Sequence, residues 1–343
     1  MSAPLLVKFL WRGSHRRSPE LWLRQFPGST GVWGQCRFLF DPSVRTYDWV
    51  AVYDDLADLD GNSGVEDLAC SPSHTLLVTV EPSSIKRYGR RFLAQFGTVL
   101  TSQEEFALKH PGIVRSQPAL RWFYGAGQSR FLAFDAMTAD PPLKKSKILS
   151  TVASSKRHGH TLHRRRYEFT QELSKQLPEL EVFGHGVRDM DDKAIALDPY
   201  KYHVAVENHV APHHWTEKLA DAFLGCCLPF YYGCPNAAEY FPSESFLPID
   251  IFQPDEAAVR IAAAIEQGEY EKRLPSILEA RRRVLHDYNL FAVLSKLIEA
   301  RQAEATLVPG AKLLSRHAMR SASVRNTLED FADKLQQRLL PRR

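Results

Sequence analysis

The sequence predicts an α/β protein built from two similar halves with a helical tail. Three observations carry this. Short β-branched and aromatic runs alternate with polar stretches that suit helices. The alternation breaks at a Pro- and Lys-rich stretch around 141–147 and then restarts. Beyond residue 254 the pattern turns helical. The 343 residues suit two domains. We expect a first domain over 1–142, a second over 143–300 and a basic helical tail over 301–343.

In the first half, runs at 5–11, 36–40, 49–53 and 76–80 read as strands. Several are apolar throughout, as strands covered on both faces of a parallel sheet are. The stretches 18–26 and 88–96 read as helices between them. In the second half the reading is strand 147–153, helix 164–176, strand 180–183, strand 202–206, helix 216–225 and strand 228–232. Pro254 and Asp255 open a helix that Gly268 closes, and a second is expected over 275–303. In such architectures the ligand lies near the carboxyl ends of the strands.

Composition sets limits. Hydrophobic residues make up 44% and charged residues 24%, which excludes wholesale disorder. A formal charge of +4 suits an anionic small ligand or surface and is too small to argue for nucleic acid. Five cysteines at Cys36, Cys70, Cys226, Cys227 and Cys234 follow no disulfide or metal spacing and read as reduced thiols of a cytosolic protein. The N-terminus carries no signal-peptide pattern, and no window reaches the roughly 20 apolar residues a membrane span needs. The expected localisation is cytoplasmic, with at most peripheral contact at the inner membrane.

The stretch 201–251 is the most informative. A strand delivers Glu207 and Asn208 at its end, a His- and Pro-rich loop follows, and Thr216 stands as N-cap of a helix beginning Thr216-Glu217-Lys218. The free N–H groups of that helix, its dipole and Lys218 converge on one spot, which suits a phosphate or diphosphate. Glu217 beside it suits sugar or ribose hydroxyls. The same residues also fit a solvated first turn.

This segment resembles the C-terminal motif of the α-1,3/4-fucosyltransferase family, glycosyltransferase family 10. Val206-Glu207-Asn208, Thr216-Glu217-Lys218, the run from Pro229 to Gly233, and Ala238-Glu239-Tyr240-Phe241-Pro242-Ser243-Glu244-Ser245-Phe246 follow the family's order and spacing. Upstream, Arg166-Tyr167-Glu168-Phe169 resembles its R-x-x-F helix, and Val80-Glu81-Pro82-Ser83 its first-domain E-S-P region. The resemblance implies a GT-B-like fold, two Rossmann-like domains facing a cleft. It implies GDP-fucose as donor, a glycan as acceptor, inversion at the anomeric carbon and no required cofactor. Carried over residue by residue, Arg166 and Lys218 neutralise the diphosphate and Glu217 holds ribose hydroxyls. Glu207 and Asn208 shape the sugar end, and Glu81 is the general base. Where the family has D-Y-(I/V) before T-E-K, this chain has His213-His214-Trp215, so His214 takes the place of a donor-side aromatic.

The expected role is fucosyl transfer to a bacterial lipopolysaccharide or surface-glycan precursor. A transferase for another GDP-sugar, or a nucleotide-sugar binding protein without catalysis, stays open beside it. From the residues alone Glu81 also fits a turn-capping acid, and Arg166 a solvated basic face with Arg164 and Arg165. The histidine groups 209, 213, 214 and 158, 160, 163 lack metal-site framing, so no metal is expected. The segment 312–343 carries eight Lys and Arg against three Asp and Glu, with apolar residues at 324, 328, 331, 335 and 339. It reads as an amphipathic helix on an anionic membrane, or as one packed on its own protein or in a homo-oligomer.

Overall fold

A computed structural model describes residues 3–12, 14, 17–56, 64–118, 121–153, 162–302 and 306–339. The side chains of 329, 330, 333, 334 and 336–339 lie outside that description, as do the sequence expectations on His158 and His160. The strands are β1 (Leu5–Trp11), β2 (Val32–Trp33), β3 (Cys36–Leu39), β4 (Trp49–Tyr53), β5 (Val65–Asp67), β6 (Thr75–Val78), β7 (Thr98–Thr101), β8 (Ile113–Arg115), β9 (Lys147–Val152), β10 (Leu180–Phe183), β11 (Tyr200–Val206), β12 (Leu228–Tyr232), β13 (Leu247–Pro248) and β14 (Lys312–Leu314). The helices are α1 (Glu20–Leu23), α2 (Arg90–Leu93), α3 (Phe134–Ala139), α4 (His163–Gln176), α5 (Glu217–Leu224), α6 (Pro254–Glu266), α7 (Glu269–His286), α8 (Leu290–Glu299), α9 (Arg316–Ser321) and α10 (Val324–Leu339).

The chain forms two compact units, Met1–Pro118 with Phe291–Arg343, and Ala119–Leu290. The first holds a sheet of order β2-β3-β1-β4-β6-β7-β8, parallel except for β2. The second holds the parallel sheet β10-β9-β11-β12-β13. Both are α/β units of the Rossmann-like kind. In each, the chain leaves its first strand toward one edge and returns on the other side. The order therefore reverses between β1 and β4 in the first sheet, and between β9 and β11 in the second. Such reversals open a crevice at the strands' carboxyl ends.

The division falls at 118/119 and 290/291, where the sequence pattern suggests 142/143 and 300/301. The cause is side-chain bonding without sequence period. Asp221 accepts from the amides of Phe123 and Tyr124, Asp192 from Gly125, and Asp191 from Gln128 and Ser129. Asp198 accepts from the hydroxyl of Tyr124. Four aspartates thus fasten 123–129 to the second unit. At the other end, the Phe291 ring lies 4.1 Å from Phe26, 4.9 Å from Phe38 and 5.2 Å from Phe9. That aromatic cluster draws α8 into the first core.

Other departures have local causes. The helices expected at 18–26 and 88–96 contract to the single turns α1 and α2. Pro27 ends the first region, and Gly97 the second, where a Cβ would stand 2.3 Å from the Ser73 carbonyl oxygen. The helix expected over 275–303 is two helices. Gly268, at φ +65°, turns the chain so that α7 starts earlier with Pro275 inside it, and α8 begins at Leu290. The tail is only partly helical. Its first residues form β14, which pairs antiparallel with β5, and Leu313 is fully buried among Leu77, Phe92 and Val99. Burying such a side chain stabilises by about 2 kcal/mol. All five cysteines are free and buried. Among the described residues no helix is long and apolar enough to cross a membrane.

Candidate functional site

The second unit contains a cavity of about 210 Å³ at its reversal point. Val152 at the end of β9 and Val206 at the end of β11 form its floor, with Arg166 from α4 and Glu217 and Lys218 from the first turn of α5 above them. Lys193, His203, Asp221 and, at an exposed edge, His185 add to the polar lining, and Met190, Leu197 and Val204 to an apolar side.

The local sequence explains this convergence. β11 runs into Glu207, whose amide still donates to Tyr232 at 2.8 Å. The Glu207 carboxylate has no exposed surface. It accepts from the Thr216 amide at 2.8 Å and from the Thr216 hydroxyl at 2.7 Å, and lies 3.4 Å from the Lys218 ammonium. Thr216 Oγ1 in turn accepts from the Lys218 amide, the N-cap bond that starts α5. Gly233 leaves the room for this acid, since a Cβ there would stand 2.4 Å from Glu207 Cγ. Glu207 therefore anchors the helix tip from beneath and does not line the cavity.

Arg166 spans the strand ends from the other side. It donates to Asn208 Oδ1 at 2.9 Å and to the Val152 carbonyl. The Leu162 amide donates to the Asn208 carbonyl, so Asn208 fixes the start of α4 as well as its arginine. The Lys218 ammonium lies 2.9 Å from Glu217. Lys193 pairs with the buried Asp221 at 2.8 Å. The cavity thus presents three cations against Glu217 and Asp221, within a low-dielectric wall that strengthens each charge.

Titration follows from that crowding. Burial pulls the Lys218 ammonium down, but Glu217 and Glu207 outweigh it and hold the group above its usual value. Burial pushes the Glu217 carboxyl up, yet Lys218 and Lys193 hold it well below the usual range. Burial raises Glu207, incompletely opposed by Lys218, and lowers Arg166, partly opposed by Glu207 and Glu217. His203 is pushed down to about 3 by burial, Lys193 and Arg166. Its Nδ1 lies 2.8 Å from Ser150 Oγ, which donates to the Ala196 carbonyl. Nδ1 therefore carries the proton toward Ser150, and Nε2 is bare.

Of the residues the sequence singled out, the structure brings Arg166, Asn208, Glu207, Glu217 and Lys218 together. His214 is not on the cavity wall. It is buried, with its ring edge-on to His209 at 5.4 Å between centroids. His213, at φ +65°, turns the other way and meets the Tyr240 hydroxyl at 2.6 Å. Glu81 belongs to the first unit, three residues past β6, half-buried, with its carbonyl accepting from Gln103 Nε2 at 2.8 Å. Among the described residues no group of three or more His, Cys, Asp or Glu is placed to hold a metal ion. Sequence reasoning missed Lys193, His203 and Asp221. Asp221 had a signal, because it stands four residues after Glu217 on the same helix face. Lys193 had none.

An anion site at the reversal point of a Rossmann-like sheet is the arrangement of a nucleotide-binding domain. Residues 142–271 match the family model for glycosyltransferase family 10 (fucosyltransferase), C-terminal part. The similarity to glycosyltransferase family 10 thus falls on the second unit, over the stretch that holds the cavity. The chain is 29% identical over 120 residues to the 4-galactosyl-N-acetylglucosaminide 3-alpha-L-fucosyltransferase 9 of Mus musculus, covering 33% of this chain and 32% of that protein. It is 28% identical over 78 residues to the Helicobacter pylori alpha-(1,3)-fucosyltransferase FucT, covering 23% and 16%. The aligned stretch spans about a third of the mouse protein's length. A crystal structure of an alpha1,3-fucosyltransferase aligns over 83% of this chain and 92% of its own, with 17% identity and a TM-score of 0.48. The same coverage holds for its form with GDP-fucose, at 16% identity and a TM-score of 0.46.

The His203 environment sets a pH dependence. Its folded value of about 3 lies below the ordinary 6.5, so between these values the unfolded chain binds a proton that the folded one does not. Stability from this group is present above pH 6.5 and is lost as pH falls toward 3, at about 1 kcal/mol per pH unit. His203→Asn, which keeps a donor for Ser150, is expected to flatten the decline in melting temperature between pH 7 and pH 5. An unchanged slope in that variant contradicts the assignment.

Proposed function

We propose that this protein transfers L-fucose from GDP-fucose to a hydroxyl of a glycan, with inversion. The observation that carries the reading is the pairing of Arg166 and Lys218 at the cavity, within a segment that matches family 10. Breaking the bond between the sugar's anomeric carbon and the phosphate oxygen leaves negative charge on GDP, and two preorganised cations stabilise it as it develops. Glu217 stands ionised beside them to accept hydrogen bonds from ribose hydroxyls. Glu207, Asn208 and Thr216 keep the cations in place. Glu81 takes the proton of the acceptor hydroxyl as its oxygen bonds to the anomeric carbon. A single displacement inverts that carbon. A surface glycan or lipopolysaccharide precursor is the acceptor class we assign, and N-acetyllactosamine is the first probe, given the substrate named for the mouse relative.

A second reading keeps the chemistry and changes the sugar. It is favoured by the departure at His213 and His214, since His213 is held against Tyr240 and His214 is buried. Measuring GDP release from GDP-fucose, GDP-mannose and other GDP-sugars over a glycan panel separates the two. With the preferred donor, Glu81→Gln is expected to keep GDP affinity and to lower kcat by about two to four orders of magnitude. Wild-type turnover in that variant contradicts the base assignment. GDP binding by the wild type with no transfer from any donor leaves a binding protein instead.

The tail adds a peripheral membrane contact to this reading. Val324 is 78% exposed, and Leu328 and Phe331 project with it from α10, beside basic Arg320 and Arg325. We expect the full chain to sediment with anionic liposomes and a chain ending at 323 to stay in solution. Equal sedimentation removes the contact.

A further inference from the structure

The C-terminal segment does more than extend from the first unit. After β14 pairs with β5, the Leu314 amide donates to Gln95 Oε1 at 2.7 Å and the Leu314 carbonyl accepts from Gln95 Nε2 at 3.1 Å. The Ser315 amide donates to the Gly64 carbonyl at 2.6 Å, and the Ser315 hydroxyl caps α9. These bonds seat Arg316 over the carboxyl ends of β4 and β6, beside the reversal point of the first sheet.

There Arg316 meets residues 55, 87 and 88, while its carbonyl accepts from Arg320 Nε within the tail. Its amide donates to Asp55 Oδ1 at 3.1 Å. Its guanidinium donates to the Arg87 carbonyl at 3.0 Å and lies 5.4 Å from the centroid of the Tyr88 ring. Tyr88 is almost fully buried. Its hydroxyl donates to Asp54 Oδ1 at 2.6 Å and accepts from the Val80 amide at 3.3 Å, so it ties down the residue before Glu81. Lys86 donates to both Asp54 oxygens at 2.6 Å. Gln103 Nε2 bridges the carbonyls of Glu81 and Lys86 at 2.8 and 2.9 Å. Asp54 itself is held at φ +74°, a left-handed conformation that aspartate tolerates better than most non-glycine residues and that these bonds fix in place. The loop 80–88 is therefore closed on itself through Tyr88 and Gln103, and covered by Arg316.

We infer that Arg316 is a positioning residue, through which the C-terminal segment 312–321 straps the loop 80–88 and fixes Glu81 for its work as a base. This rests on the reading of Glu81 given above. The strap acts on the acceptor side of the reaction and leaves the nucleotide cavity, in the other unit, untouched. A general base displaced by a fraction of an ångström loses its alignment with the hydroxyl proton, while donor binding does not sense the change.

Arg316→Gln in the full chain tests this with two readouts. Transfer to N-acetyllactosamine, or to whichever glycan the panel returns, is expected to fall in kcat by roughly tenfold or more, with GDP affinity unchanged. Hydrogen exchange of the amides 80–88 is expected to quicken by about tenfold, with the second unit's amides unaffected. Arg316→Lys, which keeps a cation over Tyr88 and loses the planar fork, falls between the two. Wild-type kcat in Arg316→Gln overturns the inference, and so does loss of GDP affinity in step with the rate. Unchanged exchange over 80–88 overturns it too, and that readout stands even where the wild type shows no turnover and the functional reading itself fails.

Discussion

A carboxylate with no exposed surface sits under the first turn of α5, and the cavity of the second unit is arranged around it. Glu207 would be costly to bury alone. Its cost is offset by two hydrogen bonds from Thr216 and by the ammonium of Lys218. The arrangement has a consequence for chemistry. Because Glu207 takes the Thr216 amide and hydroxyl, the N-cap is locked, and Lys218 is held against the cavity wall rather than in solvent. Glu217, ionised through its cations, then balances the charge without removing it. The site stands ready before a ligand arrives, which is what electrostatic stabilisation of a leaving group requires.

The two sheets use one topological device for different ends. In the second, the reversal between β9 and β11 leaves Val152 and Val206 as a floor, and α4 and α5 direct Arg166 and Lys218 over it. In the first, the reversal beside β4 leaves Asp54 in a left-handed conformation under Lys86 and Tyr88. Arg166, Lys193 and Lys218 line the second unit's crevice, and a closed polar loop that includes Glu81 stands at the first unit's.

Much of this was legible in the sequence. The strands 49–53, 180–183 and 228–232 fall where apolar runs bounded by turn residues put them. Thr216 caps its helix because a threonine before an acidic first turn has few better options. Arg166 and Asn208 were legible as separate residues, though their bond was not. The missed features share one cause. The aspartates that fasten 123–129, the Lys193–Asp221 pair and the seat of Arg316 are contacts between side chains and distant backbone. They have no period and no motif. The tail misled for a related reason, because its charge count says nothing about Leu313, whose burial turns the first part of the tail into a strand of the first unit.

The claim at the centre is that the cavity grips the phosphates of a nucleotide. Calorimetric titration of the wild-type protein with guanosine, GMP and GDP tests it most directly. Affinity is expected to rise with each phosphate, and the gain from GMP to GDP is expected to vanish in Lys218→Met. Equal affinity for guanosine and GDP, or a gain that survives the loss of Lys218, would contradict it.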